Sequence, residues 1–106
     1  MAGTVKIWWH DGAVRDARYH DVPVVNEPEL AYSVVSVGSV AEATGPAPEN
    51  AYVAVVETDV NVRYLVRPNG IGGNADVVTS KPIAATGHGT DVIGIRPGDV
   101  ISFIEA

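Results

Sequence analysis

Residues 51–66, AYVAVVETDVNVRYLV, decide the fold class of this chain. In the second half of that stretch Val60, Val62, Tyr64 and Val66 alternate with Asn61, Arg63 and Leu65. A period of two puts the first set on one face of a pleated strand and the second set on the other, so 60–66 reads as a strand with one buried and one mostly wet face. The first half, AYVAVVE at 51–57, is apolar at both parities and rich in valine, which places it in the middle of a sheet rather than at an edge. Thr58-Asp59 between the two is expected to fold them into a hairpin.

Working outward, the same period and the same β-branched and aromatic residues mark further strands at 4–9 (TVKIWW), 13–19 (AVRDARY), 31–37 (AYSVVSV), 39–44 (SVAEAT), 91–95 (DVIGI) and 99–105 (DVISFIE). Arg96-Pro97-Gly98 predicts a tight turn joining the last two as a closing hairpin, because Pro97 presets φ and Gly98 can take the positive φ of a type II turn. A hairpin around Asp11-Gly12 is expected to join the first two. Residues 21–30, DVPVVNEPEL, are Pro-interrupted and read as an extended surface run. Residues 67–90 hold five glycines and two prolines and form the one long loop, inside which 77–83 (VVTSKPI) reads as an edge strand that tolerates Pro82. Seven to nine short strands with frequent Gly/Pro turns predict one all-β domain over 1–106, an antiparallel β-sandwich or small β-barrel.

Composition narrows the function classes. With 106 residues, 46% hydrophobic and 19% charged, the chain is the size of one domain and has the make-up of a folded one. Thirteen acids against seven bases give a net charge of −6 with no basic stripe, so direct nucleic-acid binding is not expected. Cysteine is absent, which removes disulfides, thiolate nucleophiles and sulfur-ligated metals. The first residues, MAGTVKIWWHDG, lack the pattern of an export signal, and nowhere do about 18 apolar residues run together, so no membrane span is expected.

No residue constellation points to catalysis. His10-Asp11 and His20-Asp21 offer metal-ligand chemistry, but a hairpin over 4–20 would hold the two histidines apart, each an exposed loop residue beside a turn aspartate. His88, between Gly87 and Gly89, specifies nothing alone, and the two closely spaced histidines of a cupin-type metal motif do not occur. NGIGGNA at 69–75 lacks the following helix that a phosphate-binding loop requires. No G-x-S-x-G elbow is present. Neither catalytic residues nor a metal or other cofactor are therefore expected. Trp8 and Trp9 are adjacent and must face opposite sides of a strand, one into the core and the other toward solvent or a partner. Trp8, Trp9, Tyr19 and Tyr32 are the expected core or interface anchors, with Ile71 and His88 of the long loop as further candidate contacts.

From residue 51 onward the order of features, AYVAVVETDVNVRYLV, a Gly/Ala/Thr-rich loop, a Gly-Thr-Asp lead and DVIGIRPGDVISFIEA, resembles the C-terminal half of small virion structural proteins of tailed bacteriophages and prophages. The resemblance covers roughly half the chain. It implies a capsid decoration (cement) or head accessory protein without catalytic residues. Such a protein would be made in the host cytoplasm and carried on the phage head. It would bind the major capsid protein or another virion protein and assemble as a homo-oligomer, with a trimer the favoured form. An acidic surface suits the outside of a particle that encloses DNA. The alternative reading is a carbohydrate- or receptor-binding β-module of a phage tail or cell surface, built on the exposed tryptophan and the glycine-rich loop.

Overall fold

A computed structural model describes residues 3–15, 21–25, 28–78, 80–85 and 91–106, with 13–15 and 21–25 described through their backbone. Among the described residues ten strands follow one another: β1 (Gly3–His10), β2 (Ala13–Arg15), β3 (Asp21–Val25), β4 (Ala31–Val37), β5 (Glu42–Ala43), β6 (Val53–Thr58), β7 (Val62–Arg67), β8 (Lys81–Ile83), β9 (Asp91–Gly94) and β10 (Val100–Glu105). Eight of them form two antiparallel four-stranded sheets, ordered β4-β1-β6-β9 and β5-β10-β7-β8, while β2 and β3 pair as a separate ribbon. Among the described residues neither sheet closes on itself, which is the arrangement of a β-sandwich. Among the described residues no helix is long and apolar enough to cross a membrane.

The alternation seen in the sequence is what builds the core. In β1, Val5, Ile7 and Trp9 point inward while Lys6 is exposed; in β4, Val35 and Val37 point inward while Tyr32, Val34 and Ser36 are exposed. Ala54 and Val56 of β6 and Ile93 of β9 complete the inner face of the first sheet. Against them pack Val62 of β7, Ile83 of β8, and Ile101 and Phe103 of β10. Each fully buried aliphatic or aromatic side chain contributes roughly 1.5–3 kcal/mol. β6 lies between β1 and β9, the central position that its two-sided apolar pattern requires. β8 is the edge strand that accommodates Pro82 but keeps only the last three residues of the stretch 77–83, with Val77 and Val78 in a turn, and β5 retains only two residues of the stretch 39–44. Residues 21–25, read as a surface run, form β3. Within 67–90 the structure places a 3-10 turn at Pro68–Gly70 and then β8.

All three expected hairpins are corrected. β6 and β7 belong to different sheets, and so do β9 and β10. The turns form where expected, but each carries the chain from one sheet to the other. At the first corner no residue from 58 to 61 takes the positive φ of the turns that favour hairpins. Instead Thr58 Oγ1 donates to Val60 O (2.7 Å), and Asp59 Oδ1 accepts the Thr4 N–H (2.7 Å). At the second corner Asp99 N–H donates to Arg96 O (3.0 Å) and Gly98 sits at φ +88°. A turn of the type II kind splays its flanking strands instead of matching their twist, so it suits a crossing between layers. The Asp11-Gly12 hairpin fails because β4 and β6 already occupy both edges of β1, which leaves β2 to pair with β3.

Gly98 gives a direct check of the second corner. A Cβ there would stand 3.1 Å from Asn69 Oδ1 on a backbone that L side chains rarely adopt. Gly98→Ala is expected to lower stability by about 1–2 kcal/mol, read from the shift in a urea unfolding midpoint.

Candidate interaction surface

β1 carries GTVKIWWH, and its inward set Val5, Ile7 and Trp9 fixes the parity of the two tryptophans. Trp9 is 2% exposed, and its indole Nε1–H donates to Ser33 Oγ at 3.0 Å, so the core satisfies its polar atom. Trp8 therefore projects from the outer face. The register then lines up one residue from each strand of the sheet: Tyr32 of β4 opposite Trp8, Trp8 opposite Val55 of β6, and Val55 opposite Val92 of β9. Four apolar side chains thus form a row across the whole width of the first sheet.

The two aromatic rings of the row are in contact, with centroids 5.3 Å apart and planes tilted by 38°. That geometry is in the favourable range for an aromatic pair. The ends of the row remain open to solvent, Tyr32 at 50% and Val92 at 61% exposure. Next to it Lys6 of β1 lies between Val34 of β4 and Glu57 of β6, which places opposite charges on neighbouring strands at the border of the apolar row. An apolar centre with a charged margin is the anatomy of a protein contact surface.

The outer face of the second sheet differs, because the chain covers part of it with residues around Ala75 and Ser80. Ser102 of β10, fully buried, accepts the Ala75 N–H at 2.9 Å, and Arg63 Nη1 of β7 donates to Ser80 O at 2.7 Å. Ser80 Oγ accepts the Asp76 N–H at 2.9 Å, which ties the segment to itself. Beside it opens a shallow cleft of about 390 Å³ lined by Tyr64, Leu65, Val66, Asn74, Asp76, Ser80 and Lys81. No group of three or more metal-ligating side chains occurs among the described residues.

No protein-family model matches this chain, and neither the curated proteins nor the solved structures hold a significant match. The surface is read from its own residues.

Of the six expected contact residues, the structure brings Trp8 and Tyr32 together. Trp9 is a core residue. Ile71 is exposed, on the segment that follows β7 of the second sheet, apart from the Trp8 row. Tyr19 and His88 lie outside the described residues, as does His20. His10 is corrected: it ends β1 at 3% exposure instead of standing in an exposed loop. Its carbonyl accepts the Tyr52 N–H (2.9 Å), so the strand ladder continues to this residue. Sequence reading missed Val55 and Val92. The signal for Val55 was present, since a strand apolar at both parities in the middle of a sheet must show one apolar set on the outer face. Lys6 likewise shares parity with Trp8, which marks that parity as outward.

Proposed function

We propose that this chain is a structural protein of a tailed-phage or prophage virion, a capsid decoration protein that docks on capsid subunits through the outer face of its first sheet. The observation that carries the reading is the row Tyr32, Trp8, Val55 and Val92 on one side of the sandwich, while on the other side the chain's own Ala75 and Ser80 tie down over part of the sheet. An apolar row that crosses a whole sheet suits a docking surface of the protein–protein kind. The net charge of −6 suits a position on the outside of a DNA-filled shell. The virion assignment itself draws on the resemblance of residues 51–106 to phage structural proteins.

The test is co-sedimentation with assembled capsid shells of the phage whose genome encodes the chain. Wild-type protein is expected in the pellet. Trp8→Glu, which puts a charge at the centre of the row, is expected to weaken binding on the order of 30-fold. Ile71→Glu, on the other sheet's segment, is expected to bind as wild type does. Wild-type protein left in the supernatant, or a Trp8→Glu variant that still pellets fully, would overturn the reading. Saturable binding of an oligosaccharide without shell binding would instead support the carbohydrate-recognition alternative.

A further inference from the structure

The two sheets present four outer edges, and three of them carry features that block addition of another strand. β5 is two residues long and includes Glu42; β8 holds Lys81 and Pro82, and proline has no N–H to donate; β9 has four residues and opens on Asp91. The fourth edge has none of these devices. β4, AYSVVSV, runs for seven residues without a charge or a proline. Among the described residues it pairs on one side alone, with β1, in unbroken register from Ala31 to Val37. A long, uncharged edge rich in β-formers is an aggregation hazard that natural sheets avoid unless the strand has a partner.

We propose that β4 is a homodimerisation edge, pairing antiparallel with β4 of a second copy across a two-fold axis at Val34, so that two four-stranded sheets become one of eight. The neutral edge admits a second copy. Two bodies that each carry −6 repel unless they meet on a neutral surface, and residues 31–37 are neutral, whereas the sheet's other edge would bring Asp91 into the joint. An antiparallel strand is also self-complementary: centred on Val34, the register sets Tyr32 opposite Ser36 of the second copy and Ala31 opposite its Val37. Val34, 52% exposed in one copy, then lies beside its counterpart and diagonal to the second Tyr32, within cross-strand reach. An isologous contact of this kind closes at two copies, in place of the trimer that the resemblance favours. The inference stands on the backbone edge of β4, whose Tyr32 and Val34 side chains share the face that carries Trp8.

The chain has no cysteine, so a single introduced thiol reports its own position. Under mild oxidation Val34→Cys is expected to form a covalent dimer, while Val92→Cys, at the opposite edge of the same sheet, is expected to stay a single chain. Equal or preferential cross-linking through Val92→Cys overturns the proposal. Light scattering on the unmodified protein is expected to give twice the 11.1 kDa chain mass. The double variant Val34→Lys/Ser36→Lys is expected to give one chain mass with an unchanged circular dichroism spectrum. An unmodified protein of one or three chain masses overturns the proposal, as does a folded lysine variant that remains dimeric. Capsid shells play no part in these readouts, so a dimer that fails to bind shells would remove the functional reading and leave this one in place.

Discussion

Trp9→Ala is expected to remove about 3–5 kcal/mol of folding free energy, the largest single-residue effect in this domain. The indole is 2% exposed on the first sheet's inner face, with Ile7 the next inward residue along β1 and Ala31 and Ala54 opposite on the flanking strands, and truncation would leave a large cavity. It would also leave Ser33 Oγ without the Nε1–H donor that reaches it at 3.0 Å. A domain of this size has about 5–15 kcal/mol to lose, so Trp9→Ala is expected to remove a large share of its stability. Trp9→Phe keeps most of the volume and gives a folded variant in which the change can be read in urea. Trp8→Ala, one residue along, is expected to change stability by no more than about 1 kcal/mol, because its side chain leans on Tyr32 at the surface and leaves no enclosed void. Equal effects at the two tryptophans would contradict the assignment of faces.

The second large effect is expected at Asp99. This aspartate of the Arg-Pro-Gly-Asp corner is buried, and its carboxylate accepts two backbone N–H groups: Arg96 through Oδ2 at 2.9 Å and Asn69 through Oδ1 at 3.2 Å. Its own backbone is engaged as well, donating to Arg96 O and accepting the Ala47 N–H at 2.8 Å. One side chain thus closes the corner between β9 and β10 and pins the 3-10 turn after β7, where Asn69 itself takes φ +52°. Asp99→Ala strands both N–H groups and is expected to destabilise the fold by about 2–4 kcal/mol, in the range for hydrogen bonds to a charged acceptor. Asp99→Asn retains one acceptor oxygen and is expected to fall between the alanine variant and wild type. Urea unfolding of the three proteins checks the order, and an Asp99→Ala variant within about 0.5 kcal/mol of wild type would show that the corner holds without the carboxylate.

The sequence placed most of the strands and their faces because both depend on local physics, though it missed β3 and overran β5 and β8. Alternation with a period of two, β-branched residues and Gly/Pro punctuation all lie within a few residues of each other. They were enough to define an all-β chain, to put residues 51–57 in the middle of a sheet, to leave Pro82 on an edge and to set Trp8 and Trp9 on opposite faces. Which sheet each strand joins was beyond that reach. Pairing depends on which edges are already occupied and on the direction in which a corner sends the chain. Thr58-Asp59 and Pro97-Gly98 therefore turn where they should and yet connect different layers. The row on the outer face had the same origin. Trp8 could be called outward from its parity with Lys6, but Tyr32, Val55 and Val92 come beside it only through the register of three other strands, and Asp99 meets Asn69 only across the corner. Faces are local properties of a strand, whereas neighbours are non-local properties of a sheet, and the candidate surface is made of neighbours.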